Sequence, residues 1–553
     1  MSLVERRIGL LFAIFLAVLG LAFARALWFG TVSNDRLAQA AATQQAAEEA
    51  VPARRGTITD RNGVQLAVSD PASDISATPY LIEDAPTAAR RLARLLVRPE
   101  DELLRKLTRR DTGFVYLARR VPATLAERVR RLGLEGIALA PAERRKYPRG
   151  VLASQVLGTV GTEGRGLSGL EYSQDRRLTG RPGTRRTVKD ALGSPIDVEE
   201  VVPAEHGAEL ELTLDAAIQE RTERVLSAVG RTYSPRGATA VVMDPRSSEV
   251  LAMANWPRVD ANRLDKAPEW ATRNLATGAT FEPGSTFKAF TVAGALMDRT
   301  VTPDQQFGLQ PQIQVADRTI GESHPRGFET LTTSDILAQS SNVGAVTIGL
   351  KMKDRRFDHW VRRFGFGRRT GADLPGEERG LVLPVKKYSG STMGNVPIGQ
   401  GISVTPLQIA AAYSALANGG VLRPPRIVRR VGERPVVRAK GRRVISERVS
   451  RELRTMLEGV LAPGGTAAEV QIEGYTLAGK TGTANKFDVE LGKYSDTRYV
   501  SSFVGFAPAK NPKLLISVMV DEPKGAIYGG EVAAPAFGDI AQFALPYLRI
   551  PPK

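Results

Sequence analysis

The chain has 553 residues, too many for one ordinary hydrophobic core, so two or three domains are expected. With 42% hydrophobic and 24% charged residues, its composition is that of a globular protein and excludes a mainly disordered chain. There is no cysteine, which rules out disulfides, thiol nucleophiles and cysteine-ligated metal sites, and 76 Lys and Arg against 59 Asp and Glu leave a formal charge of +17. Such a charge suits nucleic acid, anionic lipid or an acidic polymer as neighbour, or simply an arginine-rich background. The arginines are spread along the chain and no nucleic-acid motif accompanies them, which favours the background reading. The three histidines, His206, His324 and His359, lack metal-ligand spacing and a Gly-x-Ser-x-Gly elbow, so neither a histidine metal site nor a Ser-His-Asp triad is indicated.

In chain order, Glu5-Arg6-Arg7 precedes an uncharged run from Ile8 to Ala24, followed by Arg25 and the interfacial pair Trp28-Phe29. The run exceeds a signal-peptide core of about 7–15 residues. With Arg25 snorkelling, Ile8–Phe29 is long enough to cross a membrane, and Arg6-Arg7 favours an N-terminus in the cytoplasm. Ala22-Phe23-Ala24 also matches a signal-cleavage site, and either reading puts the rest of the chain outside the cytoplasmic membrane. Ser33–Ala50 is rich in Ala, Gln and Glu and reads as a solvated helix or stalk. From Val51 to about Pro203, short strand-like runs alternate with basic amphipathic helices, such as Arg90–Leu96 and Leu125–Leu132, among glycine-rich turns. No catalytic cluster occurs there, and the region reads as structural or docking. From Glu209 the pattern changes. Leu210–Leu214 alternates as a strand and Asp215 caps a helix through Val225. Ala238–Met243 and Val250–Ala254 form a hairpin around Asp244–Ser248, and Ser501–Phe506 and Leu514–Val520 form a second strand pair. Long helical patterns between these pairs predict an α+β domain with helices packed on an antiparallel sheet.

Three clusters in the second region carry chemistry. In Pro283-Gly284-Ser285-Thr286-Phe287-Lys288, a turn leads into an apolar helix through Met297. Residues three apart share a helix face, so Lys288 falls beside the Ser285 hydroxyl. A buried lysine loses its proton readily and can take that of the serine, while the helix start offers N–H groups to an oxyanion. In Ser340-Ser341-Asn342, after a helical run Ser334–Gln339, a hydroxyl and a carboxamide two apart can point into one cleft. Ser340 can relay protons and Asn342 can hold the lysine and a substrate amide. In Lys480-Thr481-Gly482-Thr483, leaving the strand-like Tyr475–Ala478, Gly482 lets a substrate lie against the strand. Thr483 offers an N–H, and Lys480 with the threonine hydroxyls suits a carboxylate. Each cluster alone is commonplace, but the three in this order match a known serine acyl-transferase set.

With these motifs the sequence resembles the penicillin-binding proteins. Arg55-Gly-Thr-Ile-Thr-Asp60-Arg61-Asn62-Gly63 is similar to the opening motif of the pedestal domain of class B members. Gly169-Leu-Glu171-Tyr172, Gly180-Arg-Pro-Gly183 and Lys189-Asp190-Ala-Leu-Gly193 look like further motifs of that domain. Gly399-Gln400-Gly401 with Val404-Thr-Pro-Leu-Gln408 is similar to the stretch that borders the cleft, although Gln400 itself has no reading from sequence.

The resemblance implies a cytoplasmic tail over 1–7, a transmembrane anchor over 8–29 and a stalk over 30–50. A pedestal (dimerisation-like) domain over 51–205 and a serine transpeptidase domain over 206–550 would follow. It implies a single-pass protein of the inner (cytoplasmic) membrane with its catalytic domain outside the cytoplasm. Ser285 would attack the D-Ala-D-Ala carbonyl of a peptidoglycan stem peptide and pass the acyl group to an amine on a neighbouring strand. Lys288 would be the base and Ser340 and Asn342 the relay. Lys480, Thr481 and Thr483 would bind the terminal carboxylate, with Gly482 between them, and the N–H groups of Ser285 and Thr483 would form the oxyanion hole. Penicillin and other β-lactams would acylate Ser285, and no metal or cofactor is needed. The motifs look most like division-specific enzymes of the FtsI type, with elongation-type members also similar. No segment resembles the glycosyltransferase domain of class A. A membrane glycan polymerase of the FtsW/RodA type and divisome or elongasome membrane proteins are the implied partners. A β-lactam hydrolase would share the acylation motifs but needs a group that activates water, which the sequence does not reveal, and a sensor needs an output domain.

Overall fold

The computed structural model describes residues 3–31, 46–189, 195–488, 490 and 492–552. Leu3–Thr31 is one helix. Its segment Arg6–Trp28 is 23 residues long and apolar enough to cross a membrane, and none of it is buried against the rest of the protein. At about 1.5 Å per residue it exceeds the roughly 30 Å of a hydrocarbon core. Of the stalk expected over 30–50, residues 32–45 lie outside the described residues, and Ala46–Val51 is a strand. Lys189-Asp190-Ala-Leu-Gly193 lies outside them from Asp190 onward.

The chain forms two compact units. The first comprises Met1–Arg54, Pro71–Glu143 and Gly180–Gly207, and the second Arg55–Asp70, Arg144–Thr179 and Ala208–Lys553. In the first, helix Ala85–Leu96 buries Ala85, Ala88, Ala89 and Leu92, a single face at helical spacing. Its first turn is closed by Asp84, whose carboxylate accepts from Thr87 N at 3.0 Å. That face joins Leu103 and Leu107 of helix Glu100–Leu107, Leu117 of strand Val115–Pro122 and Val129 of helix Ala123–Arg130 in a small core. Separately, Ala46–Val51, Gly183–Lys189 and Pro195–Val202 pair as a three-stranded antiparallel sheet.

The second unit is built on a five-stranded antiparallel sheet. Its strand order is Glu249–Trp256, Gly237–Asp244, Leu514–Asp521, Lys493–Ala507 and Ala478–Asp488. Gly237–Asp244 and Leu514–Asp521 are buried at nearly every position, inward and outward alike, so the sheet is covered on both faces. Helices Ala216–Tyr233 and Ala534–Tyr547 pack on each other and on the sheet, and Pro406–Ala417 packs on the same central strands. The first of these helices runs past the expected end at Val225 because Leu226 and Val229 continue its buried face. Asp215 caps it by accepting from Ala217 N and Ile218 N, and Asp60 adds a third bond, from Ala216 N at 2.9 Å.

Residues 55–70 and 144–179, which the sequence places in one continuous N-terminal region, thus pack with the C-terminal part. Ile58 pairs in parallel with Leu210. Glu171, fully buried, accepts from Arg55 Nε and Arg145 Nε, both at 2.6 Å, and Arg55 also reaches Asp175 at 2.7 Å. Removing one member of a buried ion cluster strands its partners. Glu171→Ala is therefore expected to destabilise this unit by about 3–5 kcal/mol, seen as a lower midpoint in urea denaturation; an unchanged midpoint would show that water replaces the carboxylate at no cost.

Candidate active site

The serine lies on a turn clamped from several directions. Phe281 exchanges two backbone hydrogen bonds with Val404, each 2.9 Å, and Gly284 N donates to Gly399 O at 3.1 Å. Thr286 Oγ1 donates to Pro283 O at 2.7 Å, and the buried Tyr413 hydroxyl donates to Thr286 O at 2.6 Å. Where the sequence suggested an α-helix from Ser285, Gly284–Phe287 is a 3-10 turn and the α-helix is Lys288–Met297. The tighter winding follows from the clamps and brings residues 285 and 288 in line along the turn. Below it, Phe287, Phe290, Phe364, Phe366 and Tyr413 form one aromatic cluster with ring centroids 4.9–5.5 Å apart.

Lys288 is fully buried. Its Nζ donates to Ser340 O at 2.6 Å, Asn342 Oδ1 at 2.7 Å and Ser340 Oγ at 3.3 Å. The Ser-x-Asn cluster is thus the seat of the lysine, and among the described residues Lys288 makes no hydrogen bond to Ser285 Oγ. Ser340 takes a left-handed backbone conformation, φ 62°, between helices Thr333–Ala338 and Asn342–Arg363, which turns both its carbonyl and its hydroxyl toward the amine. Burial, with the cation of Arg326, pulls the Lys288 pKa down to about 7, against an opposing pull from Glu322.

Lys480, Thr481, Gly482 and Thr483 lie within strand Ala478–Asp488. This is the edge strand of the sheet, so among the described residues one row of its backbone groups has no strand partner. Gly482 also has a packing reason. A Cβ there would come within 2.5 Å of Ser502 Oγ and 2.9 Å of Pro283 O, so the glycine lets the serine turn sit on the strand. Lys480 is also fully buried, with Nζ donating to Thr481 O at 3.3 Å and Thr481 Oγ1 at 3.4 Å. Burial and the nearby Lys288 push its pKa well down.

These elements enclose a cleft of about 570 Å3 lined by Ser285, Ser340, Asn342, Thr481 and Thr483. Lys480 stands behind Thr481 and does not line it. Three contributors escaped the sequence reading. Glu322 accepts from Ser341 Oγ at 2.5 Å, Asn342 N at 2.7 Å and Val343 N at 3.2 Å, anchoring the start of the helix that carries Asn342. Thr466 shares a 2.7 Å hydroxyl bond with Thr481. Glu282 accepts from Gly401 N at 3.0 Å and Tyr494 OH at 3.2 Å, tying the serine turn to two neighbouring segments. No local pattern marks Glu322, because its partners lie some twenty residues on. Gln400, unread in the sequence, lines the cleft and accepts from Arg318 at 3.3 Å.

A serine on a turn, a buried amine close to neutrality and an open strand edge together make a site for acyl transfer to and from a peptide. Residues 238–542 match the family model of the penicillin binding protein transpeptidase domain, and residues 50–212 that of the penicillin-binding protein dimerisation domain. The chain is 35% identical over 513 residues to the stage V sporulation protein D of Bacillus subtilis, covering 90% of this chain and 79% of the relative. It is 33% identical over 558 residues to the peptidoglycan D,D-transpeptidase FtsI of Escherichia coli, covering 100% and 93%. Among solved structures, penicillin binding protein 3 of Mycobacterium tuberculosis complexed with aztreonam superposes with a TM-score of 0.72 at 30% identity, covering 91% of this chain and 98% of that one. The chain belongs to the class B penicillin-binding proteins.

Glu322 is the acid whose charge favours protonated Lys288. In lysine-selective NMR the Lys288 side chain is expected to titrate near pH 7, and in Glu322→Gln at a lower pH. A midpoint that moved upward would contradict this assignment.

Proposed function

We propose that this chain is a peptidoglycan D,D-transpeptidase acting through an acyl-enzyme on Ser285, and the observation that carries the reading is the buried Lys288, near neutrality and held by Ser340 and Asn342 beside the serine turn. In its free-base form Lys288 takes the Ser285 proton, directly or through the Ser340 hydroxyl, as Oγ forms a bond to the carbonyl carbon of the penultimate D-Ala. The tetrahedral oxyanion is met by backbone N–H groups of Ser285 and Thr483. Its collapse breaks the peptide bond, and the departing D-Ala amine takes the proton back. An amine of a second stem peptide then attacks the ester, gives up a proton and releases Ser285 Oγ–H, leaving the cross-link. Thr481 and Thr483 present hydroxyls to the substrate carboxylate, with the positive charge of Lys480 behind them when it is protonated. Gly482 serves by bringing the serine turn onto the strand.

β-Lactams acylate the same serine. Crystal structures of penicillin binding protein 3 of Mycobacterium tuberculosis complexed with aztreonam and with ampicillin support this extension to the present chain. The apolar helix Arg6–Trp28 anchors the protein as a single span of the cytoplasmic membrane, with the chain that follows it outside the cytoplasm. Similarity to FtsI along the whole chain supports the division-specific branch and, with it, a membrane glycan polymerase of the FtsW/RodA type and divisome proteins as partners.

Purified protein is expected to take up a fluorescent penicillin stably, and Ser285→Ala to take up none. Labelling retained in the mutant would refute the nucleophile, and rapid loss of label from the natural protein would make it a hydrolase. The labelling rate is expected to rise with pH and level off above about pH 7, because only unprotonated Lys288 accepts the serine proton. A rate that is flat between pH 5 and 9, on the order of the range a base near 7 spans, would remove Lys288 from that role.

A further inference from the structure

Apart from the cleft, the larger unit carries a second cavity of about 260 Å3. Its floor is apolar and buried, with Phe364 2% and Ala411 4% exposed, and Leu422 stands beside them. Its rim is cationic. Arg368 and Arg369 follow helix Asn342–Arg363, Arg423 follows strand Val421–Leu422, and Lys440 and Arg442 belong to the stretch that pairs with that strand. Three separate stretches of chain converge here, so the fold, and not one basic run, gathers these cations, four of which are exposed.

None of the five cations forms an ion pair among the described residues, whereas Arg55, Arg145, Arg258 and Arg426 of the same unit each meet a carboxylate. Arg442 donates to Arg363 O at 2.8 Å, and burial together with the cations Arg363 and Arg368 depresses its pKa. Among the described residues, one carboxylate bonds to the lining, that of Glu377. It accepts from Thr370 N at 2.6 Å, Thr370 Oγ1 and Gly371 N at 3.3 Å, and does not itself line the cavity. The rim is also held in place. Gln408 Nε2 donates to Arg368 O at 2.7 Å, and Gly441 leaves room for Arg423, since a Cβ there would lie 2.8 Å from its Cγ.

Like charges gathered without a counter-charge repel one another, and an anion set between them relieves that repulsion. Guanidinium forks match phosphate oxygens in pairs. We propose that this cavity binds a phosphate ester, its phosphate between Arg368, Arg423 and Arg442 and its apolar substituent on Phe364 and Leu422. Such a group comes either from a lipid headgroup or from a soluble ester.

The test uses the full-length protein in phosphatidylcholine nanodiscs, titrated at fixed ionic strength with octyl phosphate and with inorganic phosphate. The Arg368→Ala/Arg442→Ala double variant is compared with Lys386→Ala/Lys387→Ala, which removes equal charge from exposed positions elsewhere. Unchanged melting and penicillin labelling show that both variants are folded. Saturable octyl phosphate binding is expected, at least tenfold tighter than inorganic phosphate and at least tenfold weaker in the arginine variant alone. No saturable binding, no preference over inorganic phosphate, or an equal loss in the lysine variant would each overturn the proposal. In phosphatidylglycerol nanodiscs, weakened octyl phosphate binding assigns the site to a lipid headgroup, and unchanged binding assigns it to a soluble ester.

Discussion

Lys288 has no carboxylate among the acceptors of its three hydrogen bonds, and the rest of the cleft follows from that constraint. An ammonium buried this way is costly and a free amine is not, so burial itself prepares the base. The acceptors must then be neutral and fixed. Ser340 supplies its carbonyl by adopting a strained backbone, and Asn342 supplies its amide oxygen from the first turn of a helix whose start Glu322 anchors. Glu322 acts from one layer out, close enough to moderate the pKa and not bonded to the amine.

Bringing Ser285 to this amine requires close packing of backbone on backbone. The serine turn rests on the edge strand at Gly482, is bonded to Gly399 behind it and is held from below by Tyr413. Glu282 adds a bond to Gly401 and another to Tyr494, so the turn, the neighbouring loop and the next strand are held together. The nucleophile therefore has little conformational freedom to lose on reaction.

Much of this was legible in the sequence because it is local. Ser285 and Lys288 are one turn apart, Ser340 and Asn342 are two residues apart, and apolar runs bounded by turns marked the strands at Ala238–Met243 and Leu514–Val520. What escaped depends on distant partners. The packing role of Gly482 lies in Pro283 and Ser502, the contact of Gln400 in Arg318, and that of Glu322 in a helix start some twenty residues on. Pattern also missed that Ala46–Val51 is a strand, because its pairing is with Gly183–Lys189 and its composition is that of a solvated helix. Arg55 and Glu171 were visible as motifs, but only the fold shows that they are partners.

The order of strands in the five-stranded sheet has a consequence for how the chain is made. Gly237–Asp244 gains its second neighbour only from Leu514–Asp521, near the other end of the chain. Until that segment is in place, the hairpin Gly237–Trp256 has an open, apolar edge, and Ser285, Lys288 and Ser340 have no edge strand to lean on. Non-local pairing of this kind is slow and leaves intermediates prone to associate. The site thus assembles last, once the C-terminal strands have joined the sheet, and an arrested chain would present a sticky sheet edge rather than a partly active enzyme.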